Sequence, residues 1–139
     1  MYVTKRFHFS ASHRVYNPDW NDEKNLKMYG KCSRTNGHGH NYILEVTVAG
    51  EPDKGTGYVI DLTELKAIVQ DCLIDKIDHT HLNYDVEFLK GINPTVENII
   101  TQFWNVIAPP LNNSDRKLFS LKLFESENNA AEYKGENHD

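Results

Sequence analysis

Two histidines separated by one glycine, His38 and His40, follow a cysteine, Cys32, within the run GKCSRTNGHGHNY from Gly30 to Tyr42. In an extended segment side chains alternate faces, so the two imidazoles point the same way. Such a pair can hold one metal ion. A third imidazole, His13 in SASHRVY, falls at or just past the end of the first strand-like segment. If the two N-terminal strands pair, His13 approaches the His38/His40 pair. Three neutral imidazoles with an open fourth position form a catalytic zinc arrangement, whereas four protein ligands form a structural one. Cys32 can be that fourth ligand or a thiol beside the metal, and spacing leaves both open. Solvated loop histidines are the plain alternative.

Other residues have chemistry-bearing contexts. Asp78 and His79 are adjacent in IDHTHLN, where the carboxylate can orient the imidazole; for a bare pair, a polar turn ending a helix is the favoured explanation. Glu97 falls in the first turn of a helix, where an acid favours the helix dipole. Glu125 ends an apolar strand beside Asn128 and Asn129 and can accept two parallel N–H bonds from a guanidine-like edge. Cys72 lies on the apolar face of a helix and reads as a small core residue. His8, His81 and His138 are assigned no role.

The elements that must position these residues follow from periodicity. Tyr2–Ser10 alternates Phe7 and Phe9 and reads as a strand. Asn17–Asn25 is polar and reads as a loop. NYILEVTVAG alternates Leu44, Val46 and Val48 with Glu45 and Thr47, the pattern of a half-buried antiparallel strand. EPDKGTG is turn chemistry, and Tyr58–Ile60 reads as a short strand. DLTE resembles a capping box from Asp61, opening a helix with Leu62, Leu65, Ile68, Val69, Leu73 and Ile77 on one face. Thr95 caps a second helix, with Ile99, Ile100, Phe103 and Ile107 inward and Pro109 and Pro110 as its stop. KLFSLKLFE is a strand with Phe119, Leu121 and Leu123 on one side. A short strand follows over Ala130–Tyr133, then a frayed KGENHD tail. Strands at both ends and helices between them give an α+β domain, an antiparallel sheet with two helices on one face. The other face needs a cover, which association with further subunits would supply.

Bulk properties narrow the function classes. The 139 residues suit one domain, with 39% hydrophobic and 25% charged residues. A net charge of -5 without a Lys/Arg stripe argues against nucleic acid or an anionic membrane as the main partner. No apolar run reaches the ~20 residues of a membrane helix, and the N-terminal residues have no signal-peptide pattern, so the expected location is the cytosol. Two cysteines make no disulfide framework.

FHFSASHRVY, GKCSRTNGHGHNY, TGYVIDLTELK, IDHTHLN, PTVEN and LFESENNAAEYKGE occur in that order across nearly the whole chain. As a set they resemble the 6-pyruvoyltetrahydropterin synthase family. The resemblance implies that His13, His38 and His40 are zinc ligands and that Cys32 is a catalytic thiol rather than a fourth ligand. It implies that Asp78 and His79 complete a Cys/Asp/His set. Glu125 matches the carboxylate that anchors the pterin ring, with Thr95 and Glu97 in the pterin pocket. It further implies the tunnelling fold, a four-stranded antiparallel sheet with two helices on one face. Trimers of such subunits close into a barrel and stack as a hexamer, with active sites between subunits.

The implied substrate is 7,8-dihydroneopterin triphosphate. One branch of the family eliminates triphosphate to give 6-pyruvoyl-tetrahydropterin for tetrahydrobiopterin; another gives 6-carboxy-tetrahydropterin and acetaldehyde on the way to queuosine. The second branch tends to place three residues between the cysteine and HGH. Here the interval is SRTNG, which resembles the first branch, as do HNY, ESENN and NLKMYGKC. Pro94 and Val96 in PTVEN lean the other way. Keeping Cys32 departs from a third variant that uses a glutamate instead. A zinc-stabilised pterin-binding module without turnover is the rival from outside enzymology.

Overall fold

The computed structural model describes residues 1–136. His138 and the end of the expected frayed tail lie outside the described residues. Strand β1 (Tyr2–His13) turns Phe7, Phe9, Ala11 and His13 inward, and β2 (His38–Gly50) turns Tyr42, Leu44, Val46 and Val48 the same way. The two pair antiparallel along their whole length, from Tyr2 opposite Ala49 to His13 opposite His38. Helix α1 (Asp22–Tyr29) lies between them in sequence. Two residues, β3 (Thr80–His81), add to the outer side of β1 in parallel at Ala11 and Ser12. Strands β4 (Arg116–Ser126) and β5 (Asn129–Tyr133) extend the sheet antiparallel on the other side, giving the order β3-β1-β2-β4-β5. The expected four-stranded antiparallel sheet is thus present, with one short parallel edge added.

Register is fixed by burial. Tyr42, Leu44, Val46 and Val48 are fully buried. A one-residue slip of β2 would turn all four outward, at about 1.5–3 kcal/mol for each apolar side chain. The same slip would move His38 and His40 to the far face, so the core holds the histidines in place.

Two helical segments pack on the inner face. Helix α2 (Leu62–Val69) passes through a π-helical stretch, Gln70–Ile74, into the short α3 (Asp75–Ile77). Its buried residues, Leu65, Val69, Leu73 and Ile77, recur every four positions. Four residues of α-helix overshoot one turn by about 40°. The wider π stretch takes back part of that drift and keeps the row facing the core. Helix α4 (Val96–Leu111) buries Ile99, Ile100, Phe103, Ile107 and Leu111, and Thr95 caps it by accepting from the Asn98 N–H at 3.2 Å.

Several local expectations are corrected. Residues 58–60 form no strand. The polar Asn17–Asn25 segment contains the start of α1, because the Asn21 side chain caps it by accepting from the Lys24 N–H at 2.8 Å. Asp61 caps α2 through Thr63 N–H rather than the residue three on, and Glu64 instead pairs with Arg116 at 3.0 Å, so no capping box forms. Leu62, at the first turn, is 45% exposed rather than on the core face. Pro109 and Pro110 lie inside α4, whose last turn tolerates their fixed φ; the helix ends at Leu111. An irregularity opposite Thr47/Val48 puts Phe119 against Tyr2, ring centres 4.2 Å apart, away from Leu121 and Leu123. Cys72 is half-buried against the core flank, and burial raises its thiol pKa.

The outer sheet face closes polar pairs across strands: Thr4 with Thr47 at 2.8 Å, Arg6 with Glu45 at 2.7 Å and Ser10 with Asn41 at 2.7 Å. It is therefore a mixed surface, with these polar pairs beside the Tyr2–Phe119 stack.

Gly37 sets the entry into β2. Its φ is 71°, and a Cβ there would stand 2.5 Å from the His13 carbonyl oxygen. Gly39 has only ordinary contact at 3.6 Å. Gly37→Ala should therefore destabilise the protein by about 2 kcal/mol or more. Gly39→Ala should cost much less. Urea unfolding of both variants checks this, and equal effects would refute it.

Candidate metal centre and active site

Pairing His13 with His38 in the ladder brings three imidazoles together at the inner-face end of β1 and β2. His13 Nε2 and His38 Nε2 are 3.0 Å apart, and one ring nitrogen from each of His13, His38 and His40 falls within 4.8 Å of the others. Three nitrogens on a tetrahedral zinc, at 2.0–2.1 Å each, would be spaced about 3.3 Å. The observed cluster matches that scale.

The protonation pattern suits a ligand set. His13 is fully buried, and its Nδ1 lies 2.8 Å from the Pro94 carbonyl oxygen. A carbonyl only accepts, so Nδ1 carries the hydrogen and Nε2 presents a lone pair to the cluster. Burial pushes the His13 pKa down to about 4, helped by His38, His40 and His81 and opposed by the bond to Pro94. Burial also lowers that of His40, against the pull of Glu125. His40 Nε2 is buried and has no hydrogen-bond partner. A native buried nitrogen rarely goes unpaired, and a metal ion is the partner that an imidazole lone pair facing two others would take. These three histidines form a group able to bind a metal ion.

The remaining expected residues hang on the same end of β1. Cys32 lies half-buried in a 3-10 turn, Gly30–Ser33, and its carbonyl accepts from Val15 N–H at 2.9 Å. Asp78 Oδ1 accepts from Ser10 N–H at 2.9 Å and lies 3.0 Å from His79 Nδ1. His79 N–H donates to the Ser10 carbonyl at 2.6 Å, and its φ of 62° is unusual for a non-glycine residue. Its ring is 82% exposed. Among the described residues, no hydrogen bond or ion pair joins Cys32 to Asp78 or His79 within one chain. Glu125 reaches the histidines, with Oε1 3.7 Å from His40 Nε2. Thr95 follows Pro94 directly, and Glu97 is exposed in the first turn of α4.

Comparison with known proteins places this arrangement. The profile of the family described as 6-pyruvoyl tetrahydropterin synthase matches residues 2–136. The chain belongs to that family. The 6-pyruvoyl tetrahydrobiopterin synthase of Pongo abelii is 42% identical over 96% of this chain and 91% of its own. The Rickettsia bellii 6-carboxy-5,6,7,8-tetrahydropterin synthase is 31% identical over 90% of this chain and 94% of its own. The solved Caenorhabditis elegans 6-pyruvoyl tetrahydropterin synthase superposes with a TM-score of 0.85 at 34% identity, over 98% of this chain and 96% of that one.

In this family member, three supporting residues escaped the sequence reading. Pro94 contributes only its backbone oxygen, which no motif advertises. Tyr42 is fully buried, stacks on Phe9 with ring centres 4.7 Å apart, and places its hydroxyl 3.4 Å from His13 Nδ1. Burial raises its pKa, with Glu125 adding to the effect, so it stays a neutral phenol. Its signal was present as the next inward position after His38 and His40. His81 also lies close, because a Cβ on Gly37 would stand 3.2 Å from its Nε2.

The depressed His13 pKa has a defined consequence for stability. The unfolded chain takes up a proton near pH 6.5, whereas the folded one resists until about pH 4. The stabilising contribution is therefore complete above pH 6.5 and is lost as pH falls through about 4. The full difference amounts to about 3 kcal/mol. Urea unfolding of metal-free protein at pH 7.5, 5.5 and 4 should show that decline, and His13→Gln should flatten it; an unchanged slope would count against a buried neutral His13.

Proposed function

We propose that this chain is the subunit of a zinc-dependent lyase that converts 7,8-dihydroneopterin triphosphate to 6-pyruvoyl-tetrahydropterin with loss of triphosphate, in tetrahydrobiopterin biosynthesis. The observation that carries the proposal is the convergence of His13, His38 and His40 beside Glu125, with His40 Nε2 buried and without a hydrogen bond. Greater identity to the pyruvoyl-type relative than to the carboxy-type one, 42% against 31%, supports the branch. So do the five residues between Cys32 and His38.

His13, His38 and His40 would hold the ion. When bound, zinc supplies a Lewis acid that polarises the substrate's side-chain hydroxyl oxygens and acidifies the neighbouring C–H. Cys32 would remove that proton as a thiolate, a form favoured beside a cation. His79 keeps its Nδ1–H on Asp78, which leaves Nε2 to hold or return protons as the enol tautomerises. Triphosphate leaves with the C–O bond electrons. The side-chain hydroxyl carbons are oxidised as the pterin ring is reduced, so no external reductant is required. Glu125 would take the guanidine-like edge of the pterin, with Thr95 and Glu97 lining its pocket.

The exposed His79 ring suits service to a neighbouring subunit. We assign residues 1–139 to one domain and the assembly to a hexamer of two stacked trimers, located in the cytosol. No helix among the described residues is long and apolar enough to cross a membrane. The carboxy-forming reaction is the second reading, favoured by Pro94 and Val96 in PTVEN.

Cys32→Ala should retain metal and assembly while turnover falls by about 10²–10⁴-fold; near-normal turnover would remove the thiol from the mechanism. His38→Ala should lose both bound metal and activity, and an active metal-free enzyme would refute the ligand assignment. Mass analysis of the product from 7,8-dihydroneopterin triphosphate decides the branch, since acetaldehyde release would move it to the carboxy-forming reaction.

A further inference from the structure

Arg14 follows the ligand His13 directly and is not used by the chemistry above. Its side chain is only 13% exposed. Nε–H donates to the Ser33 carbonyl at 2.8 Å, one residue past Cys32. The guanidinium plane lies over the Tyr16 ring, 3.7 Å from its centre. The nearest carboxylate, Asp22, is 4.0 Å from Nη2 and fully exposed, so it cannot be what holds the side chain.

The Arg14 backbone is equally constrained. The Asn83 side chain accepts from Arg14 N–H at 2.8 Å and donates to the Arg14 carbonyl at 2.8 Å. One amide thus replaces a strand partner just where β1 has ended. Val15 N–H, the next donor along, takes the Cys32 carbonyl at 2.9 Å. The Gly30–Ser33 turn is therefore fastened at two successive carbonyls, Cys32 and Ser33, by two successive residues, Val15 and Arg14. The first bond uses backbone, and any residue except proline can make it. The second needs a side chain that donates in plane while its face stacks on an aromatic ring. Arginine meets both demands, whereas a lysine ammonium has no plane to stack.

We propose that Arg14 is the positioning residue for Cys32, fixing the thiol-bearing turn relative to the His13 ligand through the Nε–H bond to Ser33 and the stack on Tyr16. The proposal rests on the catalytic role given to Cys32 above. A thiol that must meet one C–H of a bound substrate tolerates little displacement, since a shift on the order of 1 Å can cost 10²-fold in rate.

The test uses the metal-loaded full-length protein with Arg14→Gln and Arg14→Lys. Iodoacetamide labelling, read by mass for each cysteine, reports the Cys32 turn with Cys72 as internal reference. Both variants should label Cys32 severalfold faster with Cys72 unchanged, keep their metal, and lose about tenfold or more in kcat with KM little altered. Tyr16→Leu, which removes the stacking platform and leaves the arginine, should give the same selective change and serves if the Arg14 variants fold poorly. Unchanged Cys32 labelling overturns the proposal. So does a parallel rise at both cysteines, which marks general loosening, or a rise in KM alone, which marks a contact to the triphosphate. Full turnover by Cys32→Ala would instead defeat the catalytic reading of the thiol while leaving the labelling result intact.

Discussion

The bond from His13 Nδ1–H to the Pro94 carbonyl is the interaction on which the site depends. It joins the last residue of β1 to the loop that launches α4, across the boundary between sheet and helix layer. It also decides chemistry. With the hydrogen committed to Pro94, the other nitrogen must face His38 as a lone pair, and burial keeps the ring from charging. The residue after Pro94 is Thr95, whose hydroxyl caps α4. One backbone carbonyl therefore ties the metal-ligand geometry to the start of the helix that carries Glu97.

The same strand end gathers the rest. Ser10 holds Asp78 and His79, His13 enters the cluster, and Arg14 and Val15 hold the turn around Cys32. Loops that would otherwise be independent are thus referenced to one rigid strand, itself locked by twelve successive pairings with β2. Left-handed backbone appears where these loops turn back, strained at His79 and accommodated by glycine at Gly37. At Gly37 the reason is visible: the chain passes so close to His13 that no side chain would fit. The strain at His79 persists because Ser10 and Asp78 hold the residue on both sides.

Alternation made the site's framework legible in the sequence. The period-2 pattern that put Leu44, Val46 and Val48 inside also put His38 and His40 on that face, and the pairing with β1 then had to bring His13 alongside. The helical rows of α2 and α4 were legible for the same reason. What escaped was whatever rests on backbone or on single side-chain bonds. Pro94 acts through a carbonyl that every residue possesses. Helix α1 starts on the Asn21 cap inside a segment too polar to announce a helix. The DLTE pattern suggested a capping box, but tertiary contact drew Glu64 to Arg116. Strand β3 is two residues long, below any periodicity.

The burial of the functional groups follows their tasks. Imidazoles able to hold a cation must stay neutral and keep their lone pairs free, so His13 is dry and His40 Nε2 makes no hydrogen bond among the described residues, with only the Glu125 carboxylate 3.7 Å away. The His79 ring, by contrast, stands 82% exposed, with Asp78 3.0 Å from its Nδ1. Those two environments cannot be built at one point of a small sheet. Placing the imidazole cluster under the helices and His79 on a turned-back loop at the sheet edge separates them within the chain. Within the chain the buried cluster and the exposed ring are thus kept in separate environments, both referenced to the same strand through His13 and Ser10.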